Sequence, residues 1–249
     1  MHELLDELKV LRNALLRAGG LFLILITVFF CVPIRGESAA SLAITQVRHD
    51  LLPSGVELIV TGPMDAFVAE AVLAAELALV VVVPVFSFDL YRFVAPGLYP
   101  HERRMLMLFL LVSFLLMLAG AAFAYFVVLP AFFRGLFGFL PADVSPLYNL
   151  RDTMALAGGM LLTTALLFLL PIGMALLSWM GLVKASFWRQ YWRQAVLIAL
   201  IFSAIITPDG TGITMMLLAL PVCGLYFLGS FGAHALSKKG RSILYSSQH

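Results

Sequence analysis

Six apolar runs, separated by polar segments, organise the chain: roughly 19–34, 66–88, 105–130, 154–179, 194–207 and 212–232. A hydrocarbon core of about 30 Å needs about 20 apolar residues per helix, so the runs predict an all-α bundle of six transmembrane helices. The fifth run is short, and Thr207-Pro208-Asp209-Gly210 leaves room only for a tight turn before the sixth. Runs five and six are therefore expected to form a hairpin that stops short of the full bilayer. Pro84, Pro130, Pro171 and Pro221 lie within runs or at their ends. Proline removes a backbone hydrogen bond and bends a helix, so a curved, glove-like bundle is expected. No internal repeat stands out, and residues 1–249 read as one integral membrane domain with a tail at 233–249. Two long connections, about 35–65 and 131–153, are rich in Pro, Gly, Asp and Ser. In the first, Leu51, Leu52, Val56, Leu58, Ile59 and Val60 predict a segment resting on the interface or capping the bundle.

Composition agrees: 62% of residues are apolar, 12% are charged, and the mean hydropathy is +1.01. Soluble domains sit near 45–50% apolar and about 25% charged. A net charge of +2 gives no reason to expect nucleic acid as a partner. The distribution of charge says more. Twelve of the 16 Lys and Arg fall on one side of the predicted spans: Lys9, Arg12, Arg17, Arg92, Arg103, Arg104, Lys184, Arg189, Arg193, Lys238, Lys239 and Arg241. The other side holds Arg35, Arg48, Arg134 and Arg151. Cytoplasmic loops are enriched in Lys and Arg, so both termini are expected in the cytoplasm. The first run lacks a small-residue cleavage site and is expected to remain as the first span. Cys31 and Cys223 lie in apolar runs without metal-like spacing and read as lipid-facing or packed thiols.

No catalytic constellation, cofactor motif or metal-ligand spacing stands out. His2, His49, His101 and His234 fall in loops or tails, and His249 is the last residue. The reading is therefore not an enzyme. Charged groups inside apolar runs are more informative, because a carboxylate near the bilayer centre costs at least ~2.5 kcal/mol on insertion scales. Glu76 stands near the middle of the second run, in Ala74-Ala75-Glu76-Leu77-Ala78, with no local partner. It reads as a polar anchor facing a cavity or a partner helix. Glu70, six residues earlier, lies about 240° around the helix, so the two carboxylates do not form a paired site. Asp209 sits in the tight turn after Thr207, with Thr211 and Thr214 leading into the next run. The segment from Tyr91 to Arg104 mixes aromatic, proline and charged residues, more than a positive loop requires.

That segment resembles the cytoplasmic loop of the TatC family, subunits of the twin-arginine protein translocase. The family pattern is Phe-x-x-Pro-x-Leu-Tyr-x-x-Glu followed by two basic residues. Here it stands as Phe93, Pro96, Leu98, Tyr99, Glu102, Arg103 and Arg104. Gly120 to Pro130, Trp179-Met180-Gly181 after Pro171, Thr207-Pro208-Asp209, Leu218 to Pro221 and Glu7-Leu8-Lys9 are similar to the family in the same order. The resemblance implies a receptor core in the cell's inner (cytoplasmic) membrane that moves folded proteins, driven by the proton-motive force. It implies partners too: twin-arginine signal peptides, the single-span proteins TatA and TatB, membrane lipids, and further copies of the chain. Signal-peptide binding would fall to Glu7, Lys9, Phe93, Glu102, Arg103 and Arg104, with Glu7 and Glu102 as the recognition acids. Partner helices would meet Glu76, Thr207, Asp209, Thr211 and Thr214.

The chain departs from the pattern in three places. Lys9 stands where the family has Arg, and Met215 takes a position that is commonly polar. The family's acid before the span-four proline is missing from Phe168-Leu169-Leu170-Pro171, and Glu76 is the candidate to replace it from a neighbouring helix. Two other functions fit the composition: a small secondary transporter using Glu76 as a midplane ion site, and a TatC-fold scaffold that no longer reads twin-arginine signals.

Overall fold

The computed structural model describes residues 2–34, 37–51, 57–94, 100–138, 147–206 and 212–246. The chain divides into two compact units, Met1–Phe114 with Leu140–Leu162 and Leu115–Phe139 with Thr163–His249.

In the first unit, helix α1 (His2–Cys31) starts well before the first apolar run. Leu4, Leu8, Leu11 and Leu15 continue the helical spacing backwards into the polar segment. The short strands β1 (Pro33–Ile34) and β2 (Glu37–Ser38) then pair antiparallel and lead into α2 (Ala39–Leu51). Ser38 caps α2: its hydroxyl accepts the Ser41 backbone N–H at 3.0 Å. Helix α3 (Asp65–Val94) packs along α1. Ile26, Phe29 and Phe30 of α1 meet a cluster that includes Ala69, Leu73 and Ala74 of α3, Ala40 of α2 and Met154 of α6 (Leu150–Leu167). Phe30 meets Phe67 edge-on at 5.1 Å. The end of α1 thus lies against the beginning of α3, so the two helices run antiparallel. The fully buried Ala69, Ala74 and Ala78 permit close approach of neighbouring helices, as small residues do in membranes. Where an interfacial or capping segment was expected, Leu51 is buried and β3 (Glu57–Ile59) pairs in parallel with β4 (Leu147–Asn149).

The second unit takes over within α4 (Pro100–Phe123). A π-helical segment, Ala124–Val128, follows, and α5 (Leu129–Phe137) carries Pro130 in its first turn. The Leu129 N–H reaches back to the Ala124 carbonyl. That widened turn makes room for a proline ring that would clash with the carbonyl four residues before it. The fourth run is broken in the same way: α6 ends at Leu167, and α7 (Leu170–Trp179) starts with Pro171 in its first turn. At Pro130 and Pro171 the regular α-helix is thus interrupted, by a π segment in one case and a helix break in the other. Pro84 and Pro221 lie inside continuous helices. Helix α7 ends at Gly181, whose φ of 76° only glycine adopts without strain, and the Leu182 N–H bonds back to the Leu177 carbonyl. That geometry accounts for Trp179-Met180-Gly181. Short α8 (Ala185–Gln190), α9 (Trp192–Ile206) and α10 (Ile213–Ser246) complete the unit, with α10 packed chiefly on α7 and α9.

Among the described residues, five helical stretches are long and apolar enough to cross a membrane: Arg12–Cys31, Asp65–Asp89, Arg104–Phe137, Leu150–Trp179 and Met215–Ala235. The predicted fifth run appears as the shorter apolar stretch Trp192–Ile205. At 1.5 Å per residue, the 15 residues of α9 span about 22 Å, less than a full hydrocarbon core. Leu23, Phe126, Ile205, Leu220 and Phe231 are strongly exposed, as side chains facing lipid are.

Candidate functional site

Three groups of residues are candidates for a functional or site-shaping role. The first lies at the end of unit one away from β3 and β4. Antiparallel packing of α1 on α3 carries the start of α1, with Glu7 and Lys9, to the end of α3 that holds Phe93. Eight residues separate Phe93 from Glu102, which with Arg103 and Arg104 lies in the first turns of α4. The fold therefore brings two of the segments that carry the expected signal-peptide residues, the start of α1 and the end of α3, to one end of one unit. Of these six side chains only Arg104 is among the described ones, and it is exposed.

The second group is the pair Glu76 and Gly158. Glu76 is half-buried on α3, and its carboxylate lies over Gly158 of α6. A Cβ at position 158 would fall on the carboxylate itself, so glycine makes the space the acid occupies. The Oε2 atom is buried without a hydrogen-bond partner among the described residues. Glu70 has a different environment: the Ser38 hydroxyl donates to its Oε2 at 3.5 Å. The two acids are separate features. Thr207, Asp209 and Thr211 lie outside the described residues, as does the side chain of Thr214 in the first turn of α10.

The third group was not anticipated from sequence. Asp65 Oδ2 accepts hydrogen bonds from the Gly62 N–H (2.7 Å), the Thr61 N–H (3.2 Å), the Thr61 hydroxyl (2.7 Å) and Asn149 Nδ2 (2.9 Å). Asn149 Oδ1 meanwhile accepts the backbone N–H groups of Arg151 and Asp152, capping α6. One amide side chain thus ties the beginning of α6 to the beginning of α3. The sequence signals were present, an Asp before one apolar run and an Asn before another.

The family model for the Sec-independent protein translocase protein TatC matches residues 6–221. This chain belongs to the TatC family. It is 36% identical over 217 residues to the TatC protein of Cenarchaeum symbiosum, covering 87% of this chain and 82% of that one. It is 33% identical over 231 residues to the TatC of Halothiobacillus neapolitanus, covering 91% and 61% respectively. Against the TatC of Escherichia coli it is 28% identical over 239 residues, covering 96% and 91%. The crystal structure of the twin-arginine translocase receptor TatC superposes with a TM-score of 0.79 at 26% identity, covering 93% of this chain and 99% of that one. The chain is thus a multi-pass membrane protein of a Sec-independent protein translocase family, whose members are named for transport and not for catalysis.

Proposed function

We propose that this chain is the receptor subunit of a twin-arginine translocase, with six membrane-crossing helices and both termini in the cytoplasm. It lies in the cytoplasmic membrane and binds twin-arginine signal peptides through Glu7 and Glu102. The observation that carries this reading is the motif Phe93, Pro96, Leu98, Tyr99, Glu102, Arg103 and Arg104 in a TatC-family chain whose α1–α3 packing sends Glu7 to the same end. The physics suits the task. A guanidinium pairs bidentately with a carboxylate, and partial desolvation strengthens the pair and fixes its direction. Lys9, Phe93, Arg103 and Arg104 shape the surrounding surface. TatA and TatB dock along α9 and α10, near Thr207, Asp209, Thr211 and Thr214. Further copies of the chain and membrane lipids complete the receptor complex.

Signal-peptide crosslinking tests the assignment. Removing one partner of a buried charge pair costs roughly 2–5 kcal/mol, so Glu102→Ala should nearly abolish crosslinking while the protein still inserts. Unchanged crosslinking in both Glu102→Ala and Glu7→Ala would falsify the recognition site. Failure to complement a translocase-null strain despite normal insertion would instead favour a scaffold that no longer reads such signals, a reading to which Lys9, Leu169 and Met215 lend weight. The midplane transporter is not favoured, since family membership covers residues 6–221.

A further inference from the structure

A groove of about 660 Å³ opens in the second unit between α8, the head of α9 and the last membrane turns of α10. Its volume falls in the range of small-molecule sites, roughly 300–1,000 Å³. Trp188, Trp192 and Phe231 form apolar walls, and Arg189, Ser230 and His234 supply the polar groups. Among the described residues, the lining includes no carboxylate. The walls are braced from behind: Trp188 Nε1 donates to the buried Ser178 hydroxyl at 2.8 Å, and the Tyr226 hydroxyl donates to the Trp188 carbonyl at 2.6 Å. Those bonds engage the indole N–H of Trp188 and the hydroxyl of Tyr226. Arg189 is exposed and has no ion pair among the described residues.

Position decides what such a groove meets. The apolar stretch of α9 begins at Trp192 and that of α10 ends at Ala235, so the groove sits where both helices leave the hydrocarbon. Trp and Tyr collect at this level of a bilayer. The flanking charge has one sign. Residues 181–193 carry Lys184, Arg189 and Arg193, residues 234–249 carry Lys238, Lys239 and Arg241, and neither segment contains Asp or Glu. Arg193 is held over the Trp192 ring at 5.5 Å.

We propose that this groove seats the headgroup of an anionic phospholipid. Its phosphate meets Arg189, with Ser230 and His234 as further donors, and an acyl chain lies along Trp192 and the exposed face of Phe231. Basic pockets between membrane helices select anionic headgroups in this way. The proposal does not depend on signal-peptide recognition, because it uses none of those residues.

Native mass spectrometry of the full chain, given equal amounts of phosphatidylglycerol and phosphatidylcholine, tests it. Each cation near the surface is worth about fivefold in affinity for an anionic lipid. The chain should therefore retain phosphatidylglycerol at least about fivefold over phosphatidylcholine. Arg189→Gln with His234→Gln should bring that ratio close to one, Arg189→Lys should keep most of it, and Arg134→Gln should leave it unchanged. Glycerol phosphate or inorganic phosphate at the same concentration should not displace the lipid. Equal retention of the two lipids by the unaltered chain overturns the proposal, as does an undiminished preference in the double variant. Displacement by free phosphate would mean that the site takes the anion and not a lipid. Because Arg189→Lys and the unaltered chain carry the test on their own, loss of fold in the double variant would not hide the answer.

Discussion

A methyl group on Gly158 would fall on the Glu76 carboxylate, so a missing side chain on α6 determines where an acid on α3 can rest. From sequence, Glu76 was conspicuous because a carboxylate in an apolar run is costly. Where the carboxylate rests was not legible, since its niche is made 82 positions away by a residue with no side chain. The pair gives a sharp prediction. Gly158→Ala displaces the carboxylate from its niche and should destabilise the protein, whereas the same change in a Glu76→Ala background no longer meets the carboxylate and should cost less. The coupling expected for residues in contact is about 0.5–3 kcal/mol. Thermal unfolding in detergent of the four members of the cycle measures it, and equal costs in both backgrounds would refute the contact. Function is a separate matter. Glu76→Gln should transport nearly normally and Glu76→Leu should impair transport; full transport by Glu76→Leu would make the acid a packing residue only.

Among the helices, the breaks were the most legible features. A proline at position 130 or 171 must disturb the carbonyl four residues earlier, and the chain answers with a π segment in one case and a helix break in the other. The contacts between helices were harder to read, because a glycine that touches a neighbour looks the same in sequence as one that does not. A Cβ on Gly229 would stand 2.7 Å from the Pro171 Cα, a backbone atom that cannot step aside, while Gly224 on the same helix has nothing within 4 Å. Gly229→Ala should therefore cost about 1–3 kcal/mol by overpacking. Gly224→Ala should be neutral or stabilise by up to about 1 kcal/mol through helix propensity. Melting temperatures in one detergent compare them directly, and similar values for both variants would count against the close approach of α7 and α10. The clasp at Asn149 separates just as cleanly. Asn149→Ser keeps a cap on α6 but drops the bond to Asp65, and Asn149→Ala loses both, with the cap alone worth about 0.5–2 kcal/mol. Amide exchange should accelerate at Thr61 and Gly62 in both variants, but at Arg151 and Asp152 only in Asn149→Ala.

For the whole chain, the apolar runs made the membrane-spanning helices legible, whereas helix ends were not. Helix α1 reaches back to His2 and α10 forward to Ser246 because helical spacing continues through polar residues that an apolar count passes over. The expected recognition residues rest on motif alone, since a carboxylate near a helix end carries no physical mark of what it binds. Orientation rests on charge. Lys184 and Arg189, between α7 and α9, and Arg193, in the first turn of α9, are exposed, and they belong to the side that holds twelve Lys and Arg against four. Because Lys and Arg are retained in the cytoplasm during insertion, the segment around Ser186 should be inside, and the segments around Gln46 and Ser145 outside. Cys31 is exposed and Cys223 only partly shielded, so both must first be replaced by serine or alanine. In that background, a membrane-impermeant maleimide on intact cells should modify Gln46→Cys and Ser145→Cys, and should reach Ser186→Cys only after the membrane is opened. The reverse pattern would place Glu7 and Glu102 on the wrong side of the membrane for cytoplasmic signal peptides, and the proposed receptor function would fall with the orientation.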